Sequence, residues 1–377
     1  MKKICYIVTI PLTIRAFFIP QLKYLSKAGY DITVICSDDK ALQKELGENI
    51  KYIPIEIPRG ISIVKSIQTI IQLEKIMKKE KFDMVQYSTP NAAFCSSIAS
   101  KLVNIEVRNY HLMGYRYEGN KGILRFILKL LEKITCVLST SIECVSKSNL
   151  EFGVNEKLFK KTKATVVYNG SSGGINLQRF SINCKDKWRK EIRGKYQISM
   201  NKIVYGFVGR ITKDKGIKDL LEVFKSLDYD NTVLMLVGPL ENESELNDEL
   251  MLWAKKNPKV IFVGSKEDVE KYHAAMDVLI LPSYREGFGN VLIEAQSMGV
   301  CVIASDIPGP QDAMVHKQTG LLFPLKNKNE LKNCMITLLN KEIRNKYSKE
   351  ARIFIENNFD QEVLNRYILQ RKQELLR

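Results

Sequence analysis

Along almost the whole chain, short runs rich in β-branched and other apolar residues alternate with longer amphipathic stretches. Such alternation predicts parallel sheets, because neighbouring parallel strands need a long crossover and a helix supplies it. The first series predicts strands over 4–10, 32–36, 84–87, 105–110 and 165–168, with one more between Val137 and Val145. Helices are expected over 17–28, 63–79, 91–102 and 122–135. A Gly- and Ser-rich segment at 169–176 then discourages both helix and strand. Beyond it the alternation restarts, with strands expected over 203–208, 233–237, 260–263, 278–281 and 300–304, and helices over 216–227, 245–256, 269–276 and 288–298. Three further helices are expected over 328–339, 341–357 and 361–376. The chain therefore reads as α/β, with two doubly wound, Rossmann-like domains at 1–170 and 171–357 and a last helix, 358–377, able to pack back on the first. At 377 residues and 45% hydrophobic, it can bury two such cores.

Lysine and arginine exceed aspartate and glutamate by 16, with +11 of that surplus in residues 1–170. A polyanion, an anionic membrane or a phosphorylated substrate would all be attracted. No helix-turn-helix, zinc-finger or RNP pattern is present and the cations are spread over many helices, so no nucleic-acid partner is expected. Eight cysteines occur without a C-x-x-C, and Cys36, Cys95 and Cys301 sit among apolar or small residues, which suits buried thiols in a reducing compartment. No stretch approaches the roughly 18 apolar residues of a membrane span, and the N-terminus is not a signal segment. The expected place is the cytoplasm, with attachment to the cytoplasmic face of the inner membrane as the alternative to a free state.

Two loops carry chemistry. After the strand at 278–281, Ser283-Tyr284-Arg285-Glu286-Gly287-Phe288-Gly289-Asn290 leads into a helix holding Glu294. Glycines at 287 and 289 let backbone approach a ligand, and the amides of Phe288, Gly289 and Asn290 are expected to form a helix start suited to a diphosphate. Glu294, further into the helix, could accept hydrogen bonds from ribose hydroxyls, and Glu286 would point at whatever the phosphate carries. An ordinary strand-turn-helix with a capping glutamate explains the glycines equally well. After the strand at 203–208, Gly209-Arg210 and Lys215-Gly216 place a planar cation and a point charge where both can converge on one anion. Taken alone, that loop also reads as a solvated basic turn. Both loops fall at strand carboxyl ends, where open α/β sheets bind ligands.

Glu286 and Glu294, with Gly209-Arg210, Lys215-Gly216 and Gly320-Leu321-Leu322, resemble the retaining nucleotide-sugar transferases of glycosyltransferase family 4. The segments 11–18, 111–119 and 169–176 are similar to the branch that builds capsule, O-antigen and related bacterial glycans. The resemblance implies the GT-B fold, two Rossmann-like domains facing across a deep cleft. It implies a UDP-sugar donor, commonly an N-acetylhexosamine or derivative, and a polyprenyl-diphosphate-linked glycan acceptor. Arg210 and Lys215 would hold the donor diphosphate, Glu294 the ribose and Glu286 the donor sugar. His111 falls where the family places a histidine near the transferring sugar, although a lone histidine at a strand end is more often structural. The donor is a substrate, and no cofactor is expected.

Many family members carry paired glycines in the first loop, whereas residues 9–15 have none. Thr13 and Arg15 become acceptor-side candidates. Asp228-Tyr229-Asp230 has the form of a metal-binding D-x-D but follows a helix, so no metal site is expected and protein cations take that role. In the helix over 122–135, Lys121, Arg125, Lys129 and Lys133 recur every four residues beside Leu124, Ile127, Leu128, Leu131 and Ile134. That pattern suits anionic lipid and equally a soluble amphipathic helix. A sugar-nucleotide epimerase of the same fold is the rival enzyme, and a basic nucleic-acid binder the more distant one. An NAD dehydrogenase is disfavoured, since no G-x-G-x-x-G follows the first strand.

Overall fold

A computed structural model describes residues 1–227, 229–241 and 248–377. Asp228 of the rejected D-x-D and Glu245, in the helix expected from 245, lie outside the described residues. The chain divides into two compact units: residues 1–174 together with 361–377, and residues 175–360.

The first unit is built on β1 (Lys3–Ile7), β2 (Asp31–Cys36), β3 (Ile50–Pro54), β4 (Met84–Tyr87), β5 (Val107–Leu112), β6 (Ser141–Cys144) and β7 (Ala164–Thr165). All pair in parallel, in the order β3-β2-β1-β4-β5-β6-β7. Side chains alternate across the pleat, so one strand feeds two cores. Ile4, Tyr6 and Val8 pack with Leu22, Leu25, Leu364 and Ile368, whereas Cys5 and Ile7 pack with Leu73, Met77, Ala92 and Cys95. The last helix, Gln361–Leu375, thus supplies part of the first unit's core. Its Lys372 is buried and donates to both carboxylate oxygens of Glu143 on β6, at 2.8 and 3.0 Å, and to Gln86 on β4 at 2.7 Å.

The second unit repeats the plan with β8 (Ile203–Val208), β9 (Thr232–Val237), β10 (Val260–Gly264), β11 (Val278–Leu281), β12 (Cys301–Ser305) and β13 (Gly320–Phe323), ordered β10-β9-β8-β11-β12-β13 and parallel throughout. Strands β9, β11 and β12 are buried at every position, as central parallel strands covered on both faces must be. Asp277, at the head of β11, pairs with Arg189 and the fully buried Arg193 of the helix Lys185–Lys195, each at 2.7 Å.

Three expectations shift. The first strand ends at Ile7 and a short helix starts at Pro11, whose fixed φ favours the first helical position. The helix expected from 17 instead begins with a π-helical turn, Ile14–Phe18. The strand expected over 165–168 is reduced to Ala164–Thr165, the two residues that pair with β6, and Tyr168 beyond it adopts φ 54.

Candidate functional site

In each sheet the strand order reverses between two neighbours, β1 and β4 in the first unit and β8 and β11 in the second. Helices on either side of such a point leave in opposite directions, opening a crevice at the strand carboxyl ends.

In the second unit the loops after β8, β9, β11 and β12 close on that point. Gly209, following β8, has φ 146, and a Cβ on Gly238, after β9, would collide with the Gly209 carbonyl. Gly216 sits at φ 71 at the start of the helix Ile217–Ser226, and a Cβ there would collide with the Pro282 carbonyl after β11. Only glycine allows the β8 and β11 loops to meet so closely. They are then tied together. The Tyr284 amide donates to the Asp214 carbonyl at 2.9 Å, Arg285 pairs with the Asp214 carboxylate at 3.3 Å, and Lys215 Nζ meets Glu286 Oε1 at 2.6 Å. From the loop after β12, Gly309 presses on the Gly287 carbonyl so closely that a Cβ would lie 2.8 Å from it.

Arg210, Lys215 and the Gly287 turn therefore gather at one end of one sheet. Arg210 is half exposed, 3.1 Å from Glu241 and 3.8 Å from Asp214. Lys215 and Glu286 are mostly buried. Burial would raise the Asp214 carboxyl, but the Thr212 hydroxyl and the Arg285, Lys215 and Arg210 cations outweigh it and hold it below its ordinary value. An ionised Asp214 pairs with Arg285 and Arg210 while Glu286 holds Lys215, and the loop remains net positive, an arrangement suited to a diphosphate.

The last helix of this site starts later than expected, at Asn290, with Gly289 at φ 88 as its N-cap. The amides of Phe288 and Gly289 therefore belong to the loop, and the Phe288 side chain is buried edge-on to Phe359 at 5.4 Å. Glu294 lies within the helix, its Oε2 3.4 Å from Nε2 of the fully buried His273. His273 was not singled out from sequence. Its one signal is that histidines are rare in this chain, and nothing in the spacing joins it to Glu294.

The first unit's crevice is different. Thr9, after β1, and Thr89, after β4, share a hydroxyl hydrogen bond of 2.7 Å, and Thr89 holds φ 65, an uncommon conformation for a β-branched residue. Thr13 closes the helix Pro11–Thr13 and is half-buried. Arg15 is engaged by Asp39 at 2.7 Å and Glu45 at 2.7 Å. His111 lies on β5, 8% exposed, edge-on to Phe18 at 5.4 Å, with Nδ1 3.8 Å from Glu143 Oε2. Neither of its ring nitrogens has a hydrogen-bond partner among the described residues. Burial would raise the Glu143 carboxyl, but Lys372 and His111 outweigh it and hold it well below the carboxylate range. No group of three or more metal-ligating side chains occurs among the described residues.

Comparison with known proteins bears on both units. A family model for glycosyl transferases group 1 matches residues 189–358, and one for glycosyl transferase 4-like domains matches 3–141. The capsular polysaccharide biosynthesis glycosyltransferase CapM of Staphylococcus aureus is 31% identical, covering 96% of this chain and 94% of that protein. An Escherichia coli UDP-Gal:α-D-GlcNAc-diphosphoundecaprenol α-1,3-galactosyltransferase is 26% identical over 95% of this chain and 93% of its own length. Among solved structures, HepE of Anabaena in complex with UDP superposes with a TM-score of 0.79 at 18% identity, covering 99% of this chain and 100% of that one. Two doubly wound units, each matched by its own model and spanned end to end by similar proteins, make this chain a member of the group 1 glycosyl transferases, family 4, on the GT-B fold.

Proposed function

We propose that the protein transfers a sugar, an N-acetylhexosamine or derivative, from a UDP-sugar to a polyprenyl-diphosphate-linked glycan during surface polysaccharide synthesis, with retention of configuration. The supporting observation is the 2.6 Å Lys215–Glu286 pair beside Arg210 and the Gly287 turn. Cations for a diphosphate and a carboxylate for the sugar meet there at one switch point. The E. coli relative, named for UDP-Gal and a diphosphoundecaprenol acceptor, supports both substrate classes.

In this reading Arg210, Lys215 and the amides near Gly289 take up negative charge as the bond from the sugar C1 to the β-phosphate oxygen breaks. The new bond joins C1 to the acceptor oxygen on the same face, and the acceptor proton passes to the departing phosphate oxygen. Glu286 and Glu294 position the sugar and ribose, and His111 and Thr13 lie on the acceptor-bearing unit. Because the chain supplies its own cations, transfer should not need a divalent ion.

The helix Gly122–Leu138 carries Ile123 at 80% and Phe126 at 70% exposure beside Lys121 and Arg125. This combination supports peripheral attachment to anionic lipid at the cytoplasmic membrane face. No helix among the described residues is long and apolar enough to cross a membrane.

The test incubates purified protein with UDP-N-acetylhexosamines and a polyprenyl-diphosphate-linked sugar, with and without EDTA, and reads product anomericity by NMR. Retained product in both conditions is expected. Absence of transfer, an inverted product or a strict metal requirement would each refute the corresponding part. Isomerised sugar from donor alone would favour an epimerase.

A further inference from the structure

Three helices of the first unit, Ile63–Glu80, Pro90–Leu102 and Gly122–Leu138, enclose a cavity of about 330 Å³. Its walls are Ile63, Ile67, Ile70, Phe94, Ile98 and Leu131. Ile63 is 76% exposed, so the cavity reaches the surface. Ile61 at that mouth is also exposed, as are Val64 and Ile71 on the first of these helices and Leu124 and Ile127 on the third. Two facing helices rarely keep so much aliphatic surface in water unless something covers it.

Charge argues for what enters. Arg116 lines the cavity, its guanidinium donating to Asn91 Oδ1 and to the Arg59 carbonyl, both at 3.2 Å. Arg59, Lys65 and Lys121 are exposed in the segments that border it. The lining also includes Ser62, Ser66, Asn91 and Thr135, and Glu132, which accepts from the Tyr110 hydroxyl at 2.8 Å and whose carboxyl burial pushes up to about 7. Burial thus lets Glu132 keep its proton below about pH 7, where a surface carboxyl would be ionised, and lowers the charge on the cavity wall. A mainly apolar interior, the exposed Ile61, Ile63 and Ile67 and an arginine in the lining match a single apolar chain ending in an anionic head.

From this juxtaposition we infer that the cavity receives the leading isoprene units of the acceptor's polyprenyl chain, with its diphosphate at Arg116 and the neighbouring cations. The inference rests on the lipid-linked acceptor proposed above and adds to it a chain-binding site. Chain recognition would make the enzyme sensitive to the lipid as well as to the glycan, and would hold the diphosphate at a defined distance from the sugar to be extended.

The experiment uses the full chain and geranylgeranyl diphosphate below its micelle concentration, with binding read by calorimetry. Inorganic diphosphate and vesicles of phosphatidylglycerol and phosphatidylcholine are the comparison probes. Ile70→Trp fills the cavity, and Ile67→Gln alters an exposed wall residue that carries little of the fold. Affinity for geranylgeranyl diphosphate should fall about tenfold or more in Ile70→Trp and several-fold in Ile67→Gln, while UDP binding and vesicle binding stay unchanged. Inorganic diphosphate should bind at least about tenfold more weakly than the prenyl compound. The inference is overturned if both variants bind the prenyl compound normally, or if inorganic diphosphate binds as well. It is also overturned if vesicle binding falls in parallel, since the cavity would then be bilayer contact. The two proposals fail separately: prenyl binding without sugar transfer sinks the reaction and leaves the site, whereas transfer with unaffected variants does the reverse.

Discussion

Glu132 offers a quantitative test of how the first unit is assembled. It is buried on the helix Gly122–Leu138, with the Tyr110 hydroxyl donating to its Oε1 at 2.8 Å. Burial is the dominant influence, lifting the carboxyl from 4.5 to about 7. A raised folded-state value means that the folded protein binds the proton more tightly than the unfolded chain. The associated stability is fully present below pH 4.5 and lost as pH rises through about 7. At 1.36 kcal/mol per pKa unit, the loss by pH 8 is roughly 3 kcal/mol. Glu132→Gln keeps an acceptor for Tyr110 and removes the ionisation, so its stability should lack this descent. The other titratable groups beside it, Tyr110, Tyr115, Cys136 and Cys144, are all pushed up by burial, away from this window. Both tryptophans, Trp188 and Trp253, lie in the second unit and would not report the change, so scanning calorimetry from pH 4.5 to 8 is the suitable assay. Wild type and variant with parallel profiles would refute the reasoning.

At the donor site, Lys215→Ala and Glu286→Gln should each lower kcat by about 10²- to 10³-fold with little change in melting temperature, since an oriented contact to developing charge is worth about 3–4 kcal/mol. Normal turnover in either variant would remove its role. Gly238→Ala should cost about 2–3 kcal/mol and weaken UDP binding, because a Cβ would drive into the Gly209 carbonyl at a backbone φ of 141; an unchanged melting temperature would contradict this. Lys372→Ala should cost about 3–5 kcal/mol at pH 7 by leaving the Glu143 carboxylate buried without its cation. Adding Glu143→Gln should return much of that loss, and a double-mutant cycle showing no coupling would dismiss the pair. As the Glu143 carboxyl is held low, its contribution is present above pH 4.5 and fades as the pH falls further.

Much of this was legible from local pattern. Strands β8 and β11 fall at the residues their apolar runs predict, and the Gly-Arg and Lys-Gly loops end up beside Glu286 because strand order forces them together. What stayed hidden depends on distance along the chain. Strand β3 ends in Pro54 at the sheet edge, where pairing with β2 rather than composition makes it a strand. Lys372 and Glu143 are separated by 229 positions, and a lysine in a polar terminal helix carries no mark of burial. On the helix Gly122–Leu138 the apolar periodicity was plain, yet which residues face water is decided by the two neighbouring helices. Leu128 is buried, whereas Phe126 and Leu130, outside the expected stripe, are exposed.

The return of the last helix to the first unit has a consequence for biosynthesis. The Ile175 amide donates to the Phe359 carbonyl at 2.7 Å, and the Gln361 side chain donates to the Gly173 carbonyl at 2.9 Å, so the outgoing and returning segments are stitched where each meets its own unit. A ribosome therefore releases every residue of the second unit before it releases the helix that completes the first. The unit begun earliest is finished last, and until Lys372 emerges the nascent β6 must hold Glu143 without the ammonium that neutralises it.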